Sequence, residues 1–211
     1  MTASVEEIIV RYEPKGAVKD LWYGTETETL IEGPAGTGKT RGACELLNVI
    51  ALKYPGSKQL MCRKTNTALT DAALATFRDK VLKPGDPVNW FGGSKAEPAA
   101  FKYQNGSSIV VRGLDSMDKT LSAEYDNVYV NEATELNEDE WEMLLRSLRN
   151  GVTPHQRLYG DCNPATERHW LLKRCNAGRT RRLRSTLRDN PAYWDSGLDD
   201  YTDEGRHYVE T

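Results

Sequence analysis

The sequence predicts an α/β fold: a mostly parallel central sheet with helices on both faces, carrying a small antiparallel β extension. Three observations carry this. Short apolar runs near 29–33, 59–62, 127–130 and 156–162 alternate with stretches of helical apolar spacing, the pattern of parallel strands joined by crossover helices. Between 86 and 112 that alternation gives way to two β-prone runs around Asn105-Gly106, a hairpin signal. No internal repeat or low-complexity linker divides the 211 residues, a length that suits one α/β domain with a real core, or one domain plus a small appendage.

In chain order, Thr29-Leu30-Ile31 begins a strand over 29–33, and apolar residues spaced near 3.6 make 38–53 a helix. Pro55-Gly56 is a turn. Gln59 to Cys62 forms a second strand ending at Arg63-Lys64, and Thr67 to Leu82 a helix stopped by Pro84-Gly85. Asn127-Val128-Tyr129-Val130 is a buried strand. Asn137 caps a helix from Glu138 to Arg149 that places Trp141, Leu144, Leu145 and Leu148 on one face. Gln156 to Cys162 is a strand ending at Asn163-Pro164, His169 to Cys175 a short helix, and Arg181 to Leu187 a further strand. Residues 199–211 begin a helix.

The segment LIEGPAGTGKTRG (30–42) is the most informative. Gly33, four residues, then Gly38-Lys39-Thr40 fits G-x-x-x-x-G-K-[ST] between a strand and a helix, the context such a phosphate-binding loop requires. Residues Gly33, Pro34, Ala35, Gly36, Thr37, Gly38, Lys39 and Thr40 would line the phosphates. The small residues let backbone N–H groups turn inward. Lys39 would reach the β/γ-phosphates, Thr40 would offer its hydroxyl to Mg²⁺, and the helix would add its positive N-terminal end. The bland alternative is a glycine-rich turn that binds nothing. Tyr12, Pro14, Trp22 and Tyr23 could cover a base at the edge of such a site, or simply pack on the core.

Hydrolysis also needs a metal-orienting acid and a base for water, expected at the end of a hydrophobic strand beside the one feeding the loop. Val128-Tyr129-Val130-Asn131-Glu132 is the candidate. Glu132 would orient and deprotonate the attacking water. Asn131 stands where an Asp is expected. It is neutral, and would act on Mg²⁺ through metal-bound water, which that ion keeps readily. Asn163 or Asp161, at the end of strand 156–162, would face the γ-phosphate, since ligands of open α/β sheets bind at strand C-termini. The plainer reading of these positions is a solvated acid and an ordinary turn.

Composition limits the classes. Charged residues make up 28% and hydrophobic residues 38%, as in globular proteins. No run of 18 apolar residues is present, and MTASVEEIIVRYEPKG lacks the pattern of a secretory signal. Cys44, Cys62, Cys162 and Cys175 lack C-x-x-C spacing, so zinc and disulfide readings are weak and a reducing cytosol is the default. A net charge of −3 argues against a surface that grips nucleic acid all over. In NAGRTRRLRSTLR, alternation along a strand would place Arg182, Arg184 and Arg188 on one face, able to track DNA phosphates or to form a solvated edge.

With these signals in order, the chain resembles the ATPase domain of the large terminase subunit of tailed bacteriophages. LMCRKTNTALTDAALATFRDKV, RGLDSMDKTLSAEYDNVYVNEATELNEDEWEMLLRSLR, GDCNPATERHWLLKR and STLRDNPAYW each look like a family segment, in family order. The resemblance implies a P-loop NTPase fold of the RecA-like (ASCE) type. It also implies ATP hydrolysis with Mg²⁺, coupled to translocation of double-stranded DNA into a procapsid. Further implications are a homo-oligomeric ring on the portal protein, a small terminase subunit as partner, and a location in the host cytoplasm.

Three departures stand out. Ala35 occupies a loop position where many terminases carry Arg, so the finger charge must come from elsewhere, with Arg112, Lys119, Arg146 and Arg149 as candidates. Asn131 replaces the usual Asp. The family normally continues into a nuclease domain, and this chain ends at Thr211; the expectation is one ATPase domain over 1–211, a motor half without DNA cleavage. Rival readings are another P-loop translocase or helicase, a nucleotide kinase, for which no Arg-rich lid is visible, and a nucleotide-gated interaction module with impaired hydrolysis.

Overall fold

The computed structural model describes residues 12–115 and 123–210. Helix α1 (Gly16–Tyr23) precedes β1 (Glu28–Glu32), α2 (Lys39–Lys53) and β2 (Lys58–Arg63). A helical segment opening with α3 (Asn66–Leu69) leads to β3 (Val88–Phe91), β4 (Ala100–Tyr103) and β5 (Ser108–Gly113). Then come β6 (Asn127–Val130), α4 (Glu138–Arg146), β7 (Arg157–Cys162), α5 (Trp170–Asn176) and β8 (Arg181–Arg184). A separate two-stranded pair, β9 (Trp194–Asp195) and β10 (Asp200–Tyr201), and α6 (Asp203–Glu210) complete the fold.

The main sheet has eight strands in the order β3-β4-β5-β2-β6-β7-β1-β8. From β5 through to β8 every pairing is parallel. The antiparallel extension is therefore part of the main sheet: β3 and β4 add to its edge through the β4–β5 hairpin. That hairpin turns at Gly106, whose φ of 83° suits glycine. Its Asn105 amide donates to the carbonyls of Ala51 and Leu52 at 2.8 and 3.1 Å, capping the end of α2.

Central strands β6 and β7 are buried along their whole length, as expected where helices cover both faces. Strand alternation splits the core in two. Ile31, Met61, Tyr129 and Tyr159 pack with Leu47, Ala51 and Phe77 on one side. Leu30, Leu60, Val128 and Leu158 pack with Trp141, Leu144 and Leu171 on the other. Helix α4 starts with the expected cap: Asn137 accepts from the Glu140 N–H at 2.9 Å, and Glu140 accepts from the Asn137 N–H at 2.8 Å.

Several boundaries differ from the sequence reading. The helix expected over 67–82 continues past α3 in wide π-type turns at Thr70–Leu74 and Phe77–Val81. Its buried residues Leu69, Ala73, Phe77 and Val81 recur every fourth position. An α-helix drifts by about 40° at each such step, and wider turns remove the drift and keep the stripe on the core. The strand expected to Leu187 stops at Arg184. There the Asp189 carboxylate accepts from Ser185 Oγ (3.0 Å) and the Thr186 N–H (3.1 Å), closing a turn. The terminal helix begins only at Asp203, after β10.

Candidate functional site

The loop after β1 is held from below. The Gly33 N–H donates to the Cys162 carbonyl at 3.2 Å, and a Cβ at Gly33 would lie 2.3 Å from the Ser185 carbonyl oxygen. Gly36 and Gly38 take φ of 79° and 86°, a region that favours glycine. Gly38 caps α2 in that conformation, so Lys39 and Thr40 stand in the first helical turn. The Lys39 ammonium donates to the carbonyls of Gly33 and Pro34, both at 2.7 Å. Burial lowers its pKa from the ordinary lysine value, and the Asp161 and Glu132 carboxylates oppose that shift.

The loop is also braced from the C-terminal side, which sequence reading missed. Asn190 Nδ2 donates to the Gly36 carbonyl at 2.5 Å. A Cβ at Gly36 would lie 2.8 Å from the Tyr193 ring, which stacks on Tyr208 with centroids 4.7 Å apart. The only hint in the sequence is the Asp-Asn-Pro segment at 189–191.

Opposite the loop, β6 delivers Asn131 and Glu132. Glu132 has φ 52° and ψ 57° and leads into a 3₁₀ turn over Ala133–Glu135. A left-handed non-glycine residue costs about 1–3 kcal/mol and persists where its surroundings hold it. Here the Asn131 N–H donates to the Cys62 carbonyl at 2.8 Å and the Glu132 N–H to Asp161 Oδ1 at 3.1 Å. Gly160 lets the turn settle onto β7, because a Cβ there would lie 2.6 Å from Ala133 Cβ. Glu132 has its carboxyl pKa raised, first by burial and then by the Asp161 carboxylate. Arg63 and Lys39 oppose the shift, and Glu135 adds to it.

The topology corrects one expectation. Strand β6 is not beside β1; β7 lies between them. The residue that joins the two halves is therefore Asp161 of β7, itself buried. Its Oδ2 accepts from Thr40 Oγ1 at 2.5 Å, and its Oδ1 from Asn131 Nδ2 and from the Glu132 N–H, both at 3.1 Å. Asn163, the other candidate on this segment, is exposed beyond the strand.

The oxygen donors fit a small divalent cation. Thr40 and Asp161 offer a hydroxyl and a carboxylate at one point, the sparse hard set that suits Mg²⁺ completed by phosphate and water.

Residues 26–203 match the family model described as phage terminase large subunit. The chain belongs to that family. No curated protein matches it. The terminase fold is shared with the large terminase of the thermophilic bacteriophage D6E at TM-score 0.71 and 14% identity, over 94% of this chain and 50% of that one. The same D6E protein in complex with ADP gives TM-score 0.70 and 14% identity, over 93% and 49%. The helicase domain of Pyrococcus furiosus Hef shares the fold at TM-score 0.56 and 16% identity, over 86% and 40%. This terminase chain thus spans about half the length of the D6E protein.

The basic residues of this terminase chain are placed differently from expectation. Arg63, at the end of β2, lies at the site: its guanidinium pairs with Glu135 at 2.6 Å and lies 3.5 Å from Asn131 Oδ1. Among the finger candidates, Arg146 is exposed at the end of α4 and Arg149 lies 3.5 Å from Glu124. Lys119 lies outside the described residues. In the row expected on β8, Arg182 is paired with acids, while Arg188 lies past the end of that strand. Arg182 meets Glu32 and Glu167 at 2.6 and 3.0 Å, Arg181 meets Glu26 at 2.7 Å, and Arg188 lies over the Trp194 ring. Arg184 is exposed.

The aromatics near the N-terminus mostly pack on neighbours. Trp22 Nε1 donates to the Gly42 carbonyl at 3.1 Å, Tyr12 lies between Trp22 and Arg41, and Tyr23 is exposed. Among the described residues, no helix is long and apolar enough to cross a membrane.

Proposed function

We propose that this chain is the ATP-hydrolysing motor part of a phage large terminase, driving double-stranded DNA into a procapsid. One observation supports the reading above all: Thr40 of the loop and the backbone of Glu132 meet on the same Asp161 carboxylate. On this reading the phosphate-binding half and the water-activating half share one anchor.

In this mechanism Lys39 leaves its loop carbonyls for the β/γ-phosphate oxygens, and the N–H groups of the first turn of α2 face the same charge. Thr40, with Asn131 and Asp161 behind it, serves the Mg²⁺ that supplies charge neutralisation when bound. Glu132 orients a water and takes its proton as the water oxygen bonds to the γ-phosphorus. The bond from that phosphorus to the β–γ bridging oxygen breaks, releasing ADP and phosphate. A carboxylate with raised pKa is the stronger base for that proton. Ala35 contributes no charge, so an arginine finger comes from a neighbouring copy in a ring, with Arg112, Arg146, Arg149 and Lys119 as candidates; such a group contributes roughly 10³–10⁵ in rate. Portal protein and small terminase subunit are the assembly partners in the host cytoplasm.

The test is phosphate release by wild type, Lys39→Ala and Glu132→Ala across a wide protein concentration, with and without DNA and portal. Wild-type turnover that is slow when dilute, rises with concentration and is abolished by either substitution supports the motor. Background release under all conditions favours a nucleotide-gated module instead, and strand separation favours a helicase.

A further inference from the structure

The charge pattern at the site is inverted relative to expectation. Strand β6 ends in an amide, Asn131, and β7 carries the acid, Asp161. Both are buried, at 2% and 1% exposure. The Asn131 amide nitrogen donates to Asp161 Oδ1 at 3.1 Å and to the Tyr129 hydroxyl at 3.3 Å, while its carbonyl oxygen lies 3.5 Å from the Arg63 guanidinium. A cation already faces the atom that would have to approach a metal. Asp161 Oδ2, in contrast, is 2.5 Å from the Thr40 hydroxyl.

Resting on the nucleotide-site reading above, we infer that Asp161 carries the metal-side negative charge of this site, and that Asn131 is its neutral hydrogen-bond donor. The two positions are complementary. An Asp at 131 would set a second carboxylate at hydrogen-bond distance from Asp161, and two such groups cannot both ionise without a large penalty. With Asn at 131, the contact is an N–H···O⁻ bond between a neutral donor and a charged acceptor, the stronger kind. The neutral residue on β6 is therefore no sign of a lost metal site; the ligand class is unchanged, a small divalent cation held with nucleotide phosphate.

The test is binding rather than turnover. Mn²⁺ affinity in the presence of ADP is read by electron paramagnetic resonance, and ADP affinity is read by calorimetry with Mg²⁺ and in EDTA. The set is wild type, Asp161→Asn, Asn131→Asp and the double exchange. Asp161→Asn should weaken Mn²⁺ by at least about ten-fold and leave ADP affinity in EDTA near that of wild type. The double exchange should stay as weak as Asp161→Asn, because the carboxylate at 131 would face Arg63, and full recovery overturns the inference. Asn131→Asp alone should not tighten Mn²⁺. Should Asp161→Asn not fold, Asp161→Ser, which keeps an acceptor for the Thr40 hydroxyl, takes its place. Unchanged Mn²⁺ affinity on loss of the Asp161 charge, or a gain from Asn131→Asp alone, overturns the inference. Wild-type protein that binds no ADP in either condition overturns the nucleotide site itself.

Discussion

Arg63 grips Glu135 at two points, Nε to Oε2 at 2.9 Å and Nη2 to Oε1 at 2.6 Å. The same guanidinium donates to the Ala68 carbonyl at 3.3 Å. Glu135 closes the turn that Glu132 opens, its N–H bonding the Glu132 carbonyl at 2.9 Å. Arg63 thus holds Glu135 at one end of the segment that aims the proposed base and reaches Asn131 Oδ1, beside its other end, at 3.5 Å.

Arg63 is therefore a positioning residue. Arg63→Ala should lower turnover, by up to about 10²-fold for a misplacement near 1 Å, while KM for ATP changes little. Arg63 also holds the Glu132 pKa down. Removing it raises that pKa further, so the acid limb of the rate profile should move to higher pH. Arg63→Lys, with charge but no fork, should restore the limb more fully than the rate. A pH profile identical to wild type argues that Arg63 is merely structural.

Glu132 should show opposite effects on activity and stability. Glu132→Gln should cut turnover by about 10²–10⁴-fold with ATP binding retained. The folded-state pKa of Glu132 is raised from 4.5. The folded chain thus holds that proton more tightly than the unfolded one, and its stabilising contribution is full below pH 4.5 and lost as pH rises through the raised value. Glu132→Gln should melt higher than wild type at neutral pH, with the gap closing toward pH 4. Melting curves at a series of pH values check this; a gap that widens on acidification contradicts it.

Gly160 is the packing counterpart of that strain. In Gly160→Ala the new methyl meets Ala133 Cβ at 2.6 Å and the Val130 carbonyl oxygen at 3.2 Å. The turn must lift, at about 1–3 kcal/mol for an overpacked core, and Glu132 moves with it. Denaturant unfolding and single-turnover hydrolysis should both report a loss. Unaltered turnover in a destabilised protein would separate the turn's position from catalysis.

The glycine loop and the buried strands were legible from residue order because their signals are local. A glycine pattern between strand and helix needs only neighbouring residues, and apolar runs such as 127–130 declare burial by themselves. The same holds for Asn137, whose capping partner Glu140 is three positions away. The widened helical turns were not legible, since helical periodicity tolerates small drifts that only a facing core penalises.

What tertiary structure alone decided was which strand lies between which. Placing β7 between β1 and β6 brings Asp161 to Thr40 across 121 positions of sequence, and pairing β2 with β6 brings Arg63 to Glu135 across 72. It also turned Arg181 and Arg182 of β8 toward their own acids. Strand order depends on how whole helices cover whole sheet faces, a free energy spread over the core. No short segment encodes it, so the charge arrangement built on it becomes visible only once the sheet is assembled.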